Sequence, residues 1–219
     1  MSIRGVIFDL DGTLINSVDD IADSLNYTLK QHGLEERTNN NIKDWIGEGA
    51  IELIRKAIPA DKLVHLEVEK FLWEYRERYR QNYAVKTYLY KGISSLLDAL
   101  TARNLYLNIL SNKPQELTLL VAQHFFSEWK FKNILGMRDN IPRKPDPYAA
   151  LEIVQNLGVN PSEILYAGDS GTDIETARNA RLKIAAVSWG FRPRFELENL
   201  NADYIIDQPL ELLPILDSM

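Results

Sequence analysis

The chain opens on a run of apolar residues, Val6-Ile7-Phe8, that breaks into Asp9-Leu10-Asp11-Gly12-Thr13-Leu14. Consecutive β-branched and aromatic positions of this kind predict a short buried strand. From Ser17 to Leu34 the period changes. Ile21, Leu25 and Leu29 recur at helical spacing, Ser17 and Asp20 stand where an N-cap and its capping partner would go, and Gly33 supplies a stop. A second helix is predicted from about Asn40 to a break at Trp45-Ile46-Gly47-Glu48-Gly49-Ala50. A third carries Ile51, Leu53, Ile54 and Ala57 as far as Pro59. Asp61 to Tyr83 gives the longest helical pattern, with Leu66, Phe71, Leu72 and Tyr75 toward one side and charges opposite. Residues 16–86 therefore read as all-helical.

Beyond Tyr88 the rhythm alternates. Helices are predicted from Gly92 through Leu100, from Pro114 to Phe126, from Pro147 to Leu157 and through Ile174 and Ala177. Strands are predicted at Leu105–Leu110, Phe131–Leu135, Ile164–Ala167, Ile184–Val187 and Tyr204–Ile206. Strands alternating with helices of this length predict an α/β fold with a doubly wound, mainly parallel, Rossmann-like sheet. The first strand is cut off from its partners by the helical block. The expected organisation is thus an α/β core made of residues 1–15 and 87–219, with residues 16–86 inserted as a helical cap. An insertion that starts directly after a strand's carboxyl end is expected to act as a lid over the edge where α/β ligands bind.

Composition narrows the classes. A chain of 219 residues with 45% hydrophobic and 26% charged positions suits an ordinary globular protein. With no cysteine, thiolate metal sites, disulfides and a cysteine nucleophile are excluded. A formal charge of -6 disfavours nucleic acid as a partner. The first apolar run is too short for a signal peptide, and no window approaches the ~18 uncharged apolar residues of a membrane span, so a cytoplasmic protein without membrane partners is expected. Oligomeric state, monomer or dimer, is not readable.

The chemistry lies at the predicted strand ends: Asp9 and Asp11, Ser111-Asn112, Arg143-Lys144, and Asp169 with Asp173. A parallel sheet puts all carboxyl ends on one edge, so these groups can converge. Several carboxylates meeting one lysine raise one another's pKa values and call for a cation. Oxygen ligands alone suit Mg²⁺. The set fits phosphoryl transfer, which needs an in-line nucleophile, charge neutralisation and a proton donor. Asp9 is the candidate nucleophile, forming an aspartyl-phosphate, and Asp11, two positions on, the proton donor that later activates water. Gly12 allows close backbone approach; Thr13, Ser111 and the Asn112 amide are candidate donors to phosphate; Lys144 neutralises charge beside phosphate and Asp9. Asp169 is the candidate direct Mg²⁺ ligand, with Asp173 holding its waters or neighbouring groups.

Taken in order, Asp9-Leu10-Asp11-Gly12-Thr13-Leu14, Ser111-Asn112, Lys144-Pro145-Asp146-Pro147 and Gly168-Asp169-Ser170-Gly171-Thr172-Asp173 resemble the four motifs of the haloacid dehalogenase-like hydrolase superfamily, in its phosphatase branch with a helical cap. The resemblance also implies that the backbone carbonyl of Asp11 joins the metal shell. Asp11 argues against the dehalogenase branch, and Thr13 against the phosphoglucomutase-like one. The segments Trp45–Ala50, Asn112-Lys113-Pro114 and Trp189-Gly190-Phe191-Arg192-Pro193 resemble phosphoglycolate phosphatases, which implies 2-phosphoglycolate, a small phosphorylated metabolite, as substrate. Ser111 stands where Thr is commoner and keeps the hydroxyl, and Glu48 stands where that group often carries Asn or another polar residue; pointing inward, it would face an anionic substrate. Alternatives are a pyrophosphatase, a sugar-phosphate phosphatase, or a non-catalytic phosphate- and metal-sensing module.

Other polar features read as structural. His32, His65 and His124 lack metal-ligand spacing; Arg76, Arg78 and Arg80 read as a solvated helix face; Trp45 and Trp189 as packing residues. Lys113 and Arg192 stand outside the core set as residues that could assist substrate binding.

Overall fold

The computed structural model describes residues 2–219, and these form two compact units. One holds the N-terminal segment through Ile15 together with Leu89–Met219; the other is Asn16–Tyr88. The elements of the first stretch are β1 (Gly5–Phe8), β2 (Ile15–Asn16), α1 (Val18–Gln31), α2 (Asn39–Trp45), α3 (Ala50–Ala57), α4 (Ala60–Leu63), α5 (Val68–Asn82) and β3 (Tyr88–Leu89). There follow α6 (Ile93–Ala102), β4 (Tyr106–Pro114), α7 (Gln115–Phe125), β5 (Phe131–Met137), α8 (Tyr148–Leu157), β6 (Ile164–Gly168) and α9 (Gly171–Asn179). Then come β7 (Lys183–Val187), α10 (Arg194–Asn199), β8 (Tyr204–Ile206) and α11 (Leu212–Ser218). Among the described residues no helix is long and apolar enough to cross a membrane.

The larger unit is built on a six-stranded sheet of order β5-β4-β1-β6-β7-β8. Every pairing in it is parallel. All four residues of β1 are buried, as expected of a strand covered on both faces. Ile7, Leu110, Tyr166 and Ile184 from the sheet pack with Ala150, Ile153 and Ala177 from α8 and α9 in one apolar cluster. This is the Rossmann-like core the alternation predicted. Because β1 lies between β4 and β6, with Phe8 level with both Ile109 and Ala167, the residue after Phe8 opens onto the two neighbouring strand ends. That register decides which polar residues meet.

Strand β4 runs further than its apolar stretch, through Ser111, Asn112 and Lys113 to Pro114. Leu110 is level with Leu135 and Pro114 with Met137, so three residues of β4 bulge opposite Gly136 alone. A bulge re-aims side chains that a regular strand would send to alternate faces. Sequence pattern cannot show it, because the polar residues end the apolar run while the backbone keeps pairing.

In the smaller unit, α1 packs on α5 and α2, and α3 on α5. The apolar stripes are Ile21, Leu25 and Leu29 on α1, and Phe71, Tyr75 and Tyr79 on α5. The single helix expected over Asp61–Tyr83 is two. Amide groups of His65 and Leu66 close short turns onto Lys62 and Leu63, ending α4, and α5 restarts at Val68, where the stripe that Phe71 begins can pack. On the face read as solvated, Arg78 is partly buried and its guanidinium lies 4.2 Å from the centre of the exposed Tyr27 ring.

The expected capping pair at α1 is also different. Ser17 stands at the N-cap but its side chain takes no capping hydrogen bond. Asp20 is buried and turned to the returning chain, where its carboxylate accepts from the amides of Val85, Lys86 and Thr87 and from the Thr87 hydroxyl at 2.7–3.1 Å. Those donors lie 65 to 67 positions away, beyond the reach of a local capping rule. Asp20→Ala strands them without an acceptor, and we expect it to destabilise the protein by about 2 kcal/mol. Urea unfolding of the variant beside wild type measures this; an unchanged midpoint would contradict the clasp.

Candidate active site

Asp9 follows β1 directly, its backbone amide bonded to the Ala167 carbonyl at 2.9 Å. Its carboxylate receives the ammonium group of Lys144 at 2.8 Å. The same ammonium donates to Asp173 Oδ1 at 2.7 Å and approaches the Leu110 carbonyl at 3.3 Å and the Tyr166 hydroxyl at 3.4 Å. Tyr166 in turn donates to Asp173 Oδ1 at 3.1 Å. Asp173 is held from its other oxygen by the Ser170 amide at 3.1 Å and hydroxyl at 2.6 Å, the capping box that starts α9. One carboxylate thus begins a helix and anchors the lysine.

Lys144 is itself positioned by its backbone. Its amide donates to Asn112 Oδ1 at 3.0 Å, and Asn112 Nδ2 donates back to the Lys144 carbonyl at 3.2 Å. Asn112 therefore spends its side chain on Lys144. Asp169, at the end of β6, accepts from the Phe191 amide at 2.6 Å and from the Thr13 hydroxyl at 3.4 Å. Gly12, at φ +91, lies against it: a Cβ there would stand 2.3 Å from Asp169 Oδ2, so both the backbone and the space require glycine. Trp189 donates to the Thr13 carbonyl at 3.0 Å, a polar contact beyond the packing role expected of it.

The structure brings Asp9, Asp169 and Asp173 together, with ligand oxygens within 4.8 Å of one another. The carboxylate of Asp11 lies outside this group and pairs with Lys113 at 2.7 Å. Ser111 sits beside it on the bulge, its hydroxyl accepting the Lys113 amide at 3.1 Å. Glu48, a concern for an anionic substrate, is exposed and paired with Lys56 at 2.7 Å. Sequence reasoning left Lys113 outside the core set and did not single out Tyr166 or Ser170. Tyr166 sits inside an apolar strand run and reads as core. The signal for Lys113 was its place directly after Ser111-Asn112.

Electrostatics show what the cluster favours. Burial pushes Asp9 well above the ordinary carboxylate value; Lys144 opposes this, and the charges of Asp173 and Asp169 add to it. Burial, then the neighbouring Asp173, pushes Asp169 up to about 7, with the Phe191 amide acting against. Burial works against the charge of Lys144, yet Asp173 and Asp9 outweigh it and hold the ammonium well above its usual value. Three buried carboxylates around one ammonium leave surplus negative charge in a dry site. Oxygen-only donors at this spacing fit a hard divalent cation.

A buried carboxylate on a fixed lysine, with a second acid two residues on, forms a candidate hydrolytic site. The comparisons with known proteins agree. The family model described as haloacid dehalogenase-like hydrolase matches residues 6–187, and the chain belongs to that family. Phosphoglycolate phosphatase of Aquifex aeolicus is 34% identical over 216 residues, covering 99% of this chain and 98% of that protein. N-acetylmuramic acid 6-phosphate phosphatase of Pseudomonas aeruginosa is 32% identical, covering 99% of this chain and 96% of its own. Among solved structures, a predicted phosphoglycolate phosphatase of Haemophilus somnus superposes with a TM-score of 0.91 at 29% identity, covering 98% of each chain. A haloacid dehalogenase-like family hydrolase of Streptococcus pneumoniae gives 0.86 at 25% identity, covering 97% of this chain and 98% of that one.

A cation entering the cluster has to displace the proton that Asp169 keeps below about pH 7. Because this carboxyl is raised, the proton competes harder as pH falls. Divalent-cation affinity should drop by up to about tenfold per pH unit between pH 7 and 6 and level off above 8. Calorimetric titration of the metal-free protein at these pH values tests it; a flat profile would remove Asp169 from the ligand set.

Proposed function

We infer that the protein is a Mg²⁺-dependent phosphomonoester phosphatase that works through an aspartyl-phosphate on Asp9, with 2-phosphoglycolate as its substrate. The observation that carries the reading is the buried Asp9–Lys144–Asp173 arrangement at the carboxyl edge of the sheet, with Asp11 two residues from the nucleophile. Asp9, Asp169 and Asp173 would hold the ion, Asp169 directly, with the backbone carbonyl of Asp11 completing the protein's share. When bound, Mg²⁺ neutralises the carboxylate cluster and the phosphoryl oxygens.

An Asp9 oxygen attacks phosphorus and the bond to the ester oxygen breaks, leaving the phosphoryl group on Asp9. Asp11 delivers its proton to the departing oxygen, so the leaving group goes as an alcohol. Asp11, now a carboxylate, takes a proton from water, which attacks the same phosphorus and releases inorganic phosphate with Asp9 restored. Lys144 stays charged throughout and keeps Asp9 oriented. Thr13, Ser111 and the Asn112 backbone amide serve as donors toward the phosphoryl group, with Gly12 allowing the backbone to approach. The helical unit, inserted just after the segment that carries Asp9 and Asp11, acts as the cap that discriminates among leaving groups.

A sugar phosphate is the second reading, favoured by the similarity to the Pseudomonas aeruginosa enzyme named for N-acetylmuramic acid 6-phosphate. Comparing kcat/KM for 2-phosphoglycolate, N-acetylmuramic acid 6-phosphate and pyrophosphate, in Mg²⁺ and in EDTA, separates these. 2-Phosphoglycolate should rank first and all turnover should stop in EDTA; no metal-dependent turnover of any phosphomonoester would sink the phosphatase reading. Asp9→Asn should lower kcat by a factor on the order of 10⁴ while leaving the thermal midpoint near wild type. Retained activity would show that Asp9 is not the nucleophile.

A further inference from the structure

Lys113 is a buried lysine with no part in the mechanism above. Its side chain is 6% exposed and its ammonium lies 2.7 Å from Asp11, whose side chain is 11% exposed. A buried ion pair adds little net stability, so its retention needs another reason. The position is also built. The Lys113 amide donates to the Ser111 hydroxyl at 3.1 Å, and its carbonyl accepts from the Thr118 hydroxyl at 3.1 Å. Across the bulge, a Cβ on Gly136 would stand 2.6 Å from that carbonyl, so the facing strand leaves room for this backbone only through glycine. A lysine held at both ends of its peptide unit delivers its charge to one place.

That place is beside the leaving group. In the phosphatase reading, on which this inference rests, Asp11 hydrogen-bonds the ester oxygen of the substrate. A cation bonded to Asp11 then lies within about 5 Å of that oxygen. A carboxylate on the carbon next to the ester oxygen holds its own oxygens about 3 Å from it. The two charges therefore meet without moving the backbone. A neutral leaving group offers Lys113 nothing, whereas a second anion supplies a partner of the same strength as Asp11. We propose that Lys113 is a specificity-determining residue that rests on Asp11 and recognises a second anionic group, a carboxylate, carried next to the scissile ester. The substrate class is then small carboxylated phosphomonoesters, and sugar phosphates with the charge far from the ester are disfavoured.

The test compares kcat/KM for 2-phosphoglycolate and 2-hydroxyethyl phosphate, which lacks one oxygen and the second charge. Wild type should prefer the carboxylated ester. Lys113→Met should collapse the ratio of the two constants by about 100-fold, chiefly through KM for 2-phosphoglycolate. If Lys113 merely supports Asp11, both substrates fall together through kcat and the ratio stays, which overturns the proposal. Should the methionine variant fail to fold, Lys113→Gln keeps a donor toward Asp11 without the charge and must show the same collapse. A wild type that hydrolyses p-nitrophenyl phosphate but shows no preference between the two esters overturns the proposal and spares the phosphatase reading. One that hydrolyses none of the three overturns both.

Discussion

The site depends on one ammonium group held between two carboxylates. Lys144 touches Asp9 at 2.8 Å and Asp173 at 2.7 Å, and its own side chain is buried. Each partner is fixed by a different part of the fold. Asp9 is set by the central strand, Asp173 by the capping box of α9, and Lys144 by the paired amide of Asn112 on the bulged strand. Losing the lysine would leave two buried carboxylates without their shared cation, at a cost of about 3–5 kcal/mol for a pair of this kind. The geometry is therefore cooperative: helix start, strand end and loop hold one another through charge.

The same arrangement explains why the cluster is tolerable at all. Close carboxylates in a dry place repel and keep protons they would otherwise lose, as Asp169 does near pH 7. A fold accepts such a site when the strain has a use. Here surplus negative charge suits a cation, and burial shields the Asp9 carboxylate from solvent. The helical unit follows a different logic. Its stripes of apolar residues pack among themselves, and Asp20 ties its entry to its exit through main-chain amides.

Much was legible in the residues. The alternation of strand and helix after Tyr88, the helical block before it, and polar residues at four strand ends all follow from period and composition, which act over a few neighbouring positions. Whether a polar residue at a strand end faces its neighbour was not legible. Strand order puts β1 between β4 and β6, and that order brings Asp9 beside Lys144 across 135 positions. Where local rules were pressed further they misplaced residues: Asp20 fitted a capping partner but serves the returning chain, and the stretch Asp61–Tyr83 fitted one helix but breaks where no apolar stripe holds it.

The family and the fold class were already written in the chain, because each follows from short spacings that backbone geometry reads directly. How the charges pair follows instead from the order of the strands. Lys113 reads from the chain as a residue that could assist substrate binding, and only the bulge in β4 shows that it rests on Asp11, 102 positions away. Asn112 reads as a phosphate donor through its amide, and the fold adds that its side chain holds Lys144. Hydrophobic period is a property of neighbours, whereas the partner of a buried charge depends on which strands lie side by side and on the local bends in them.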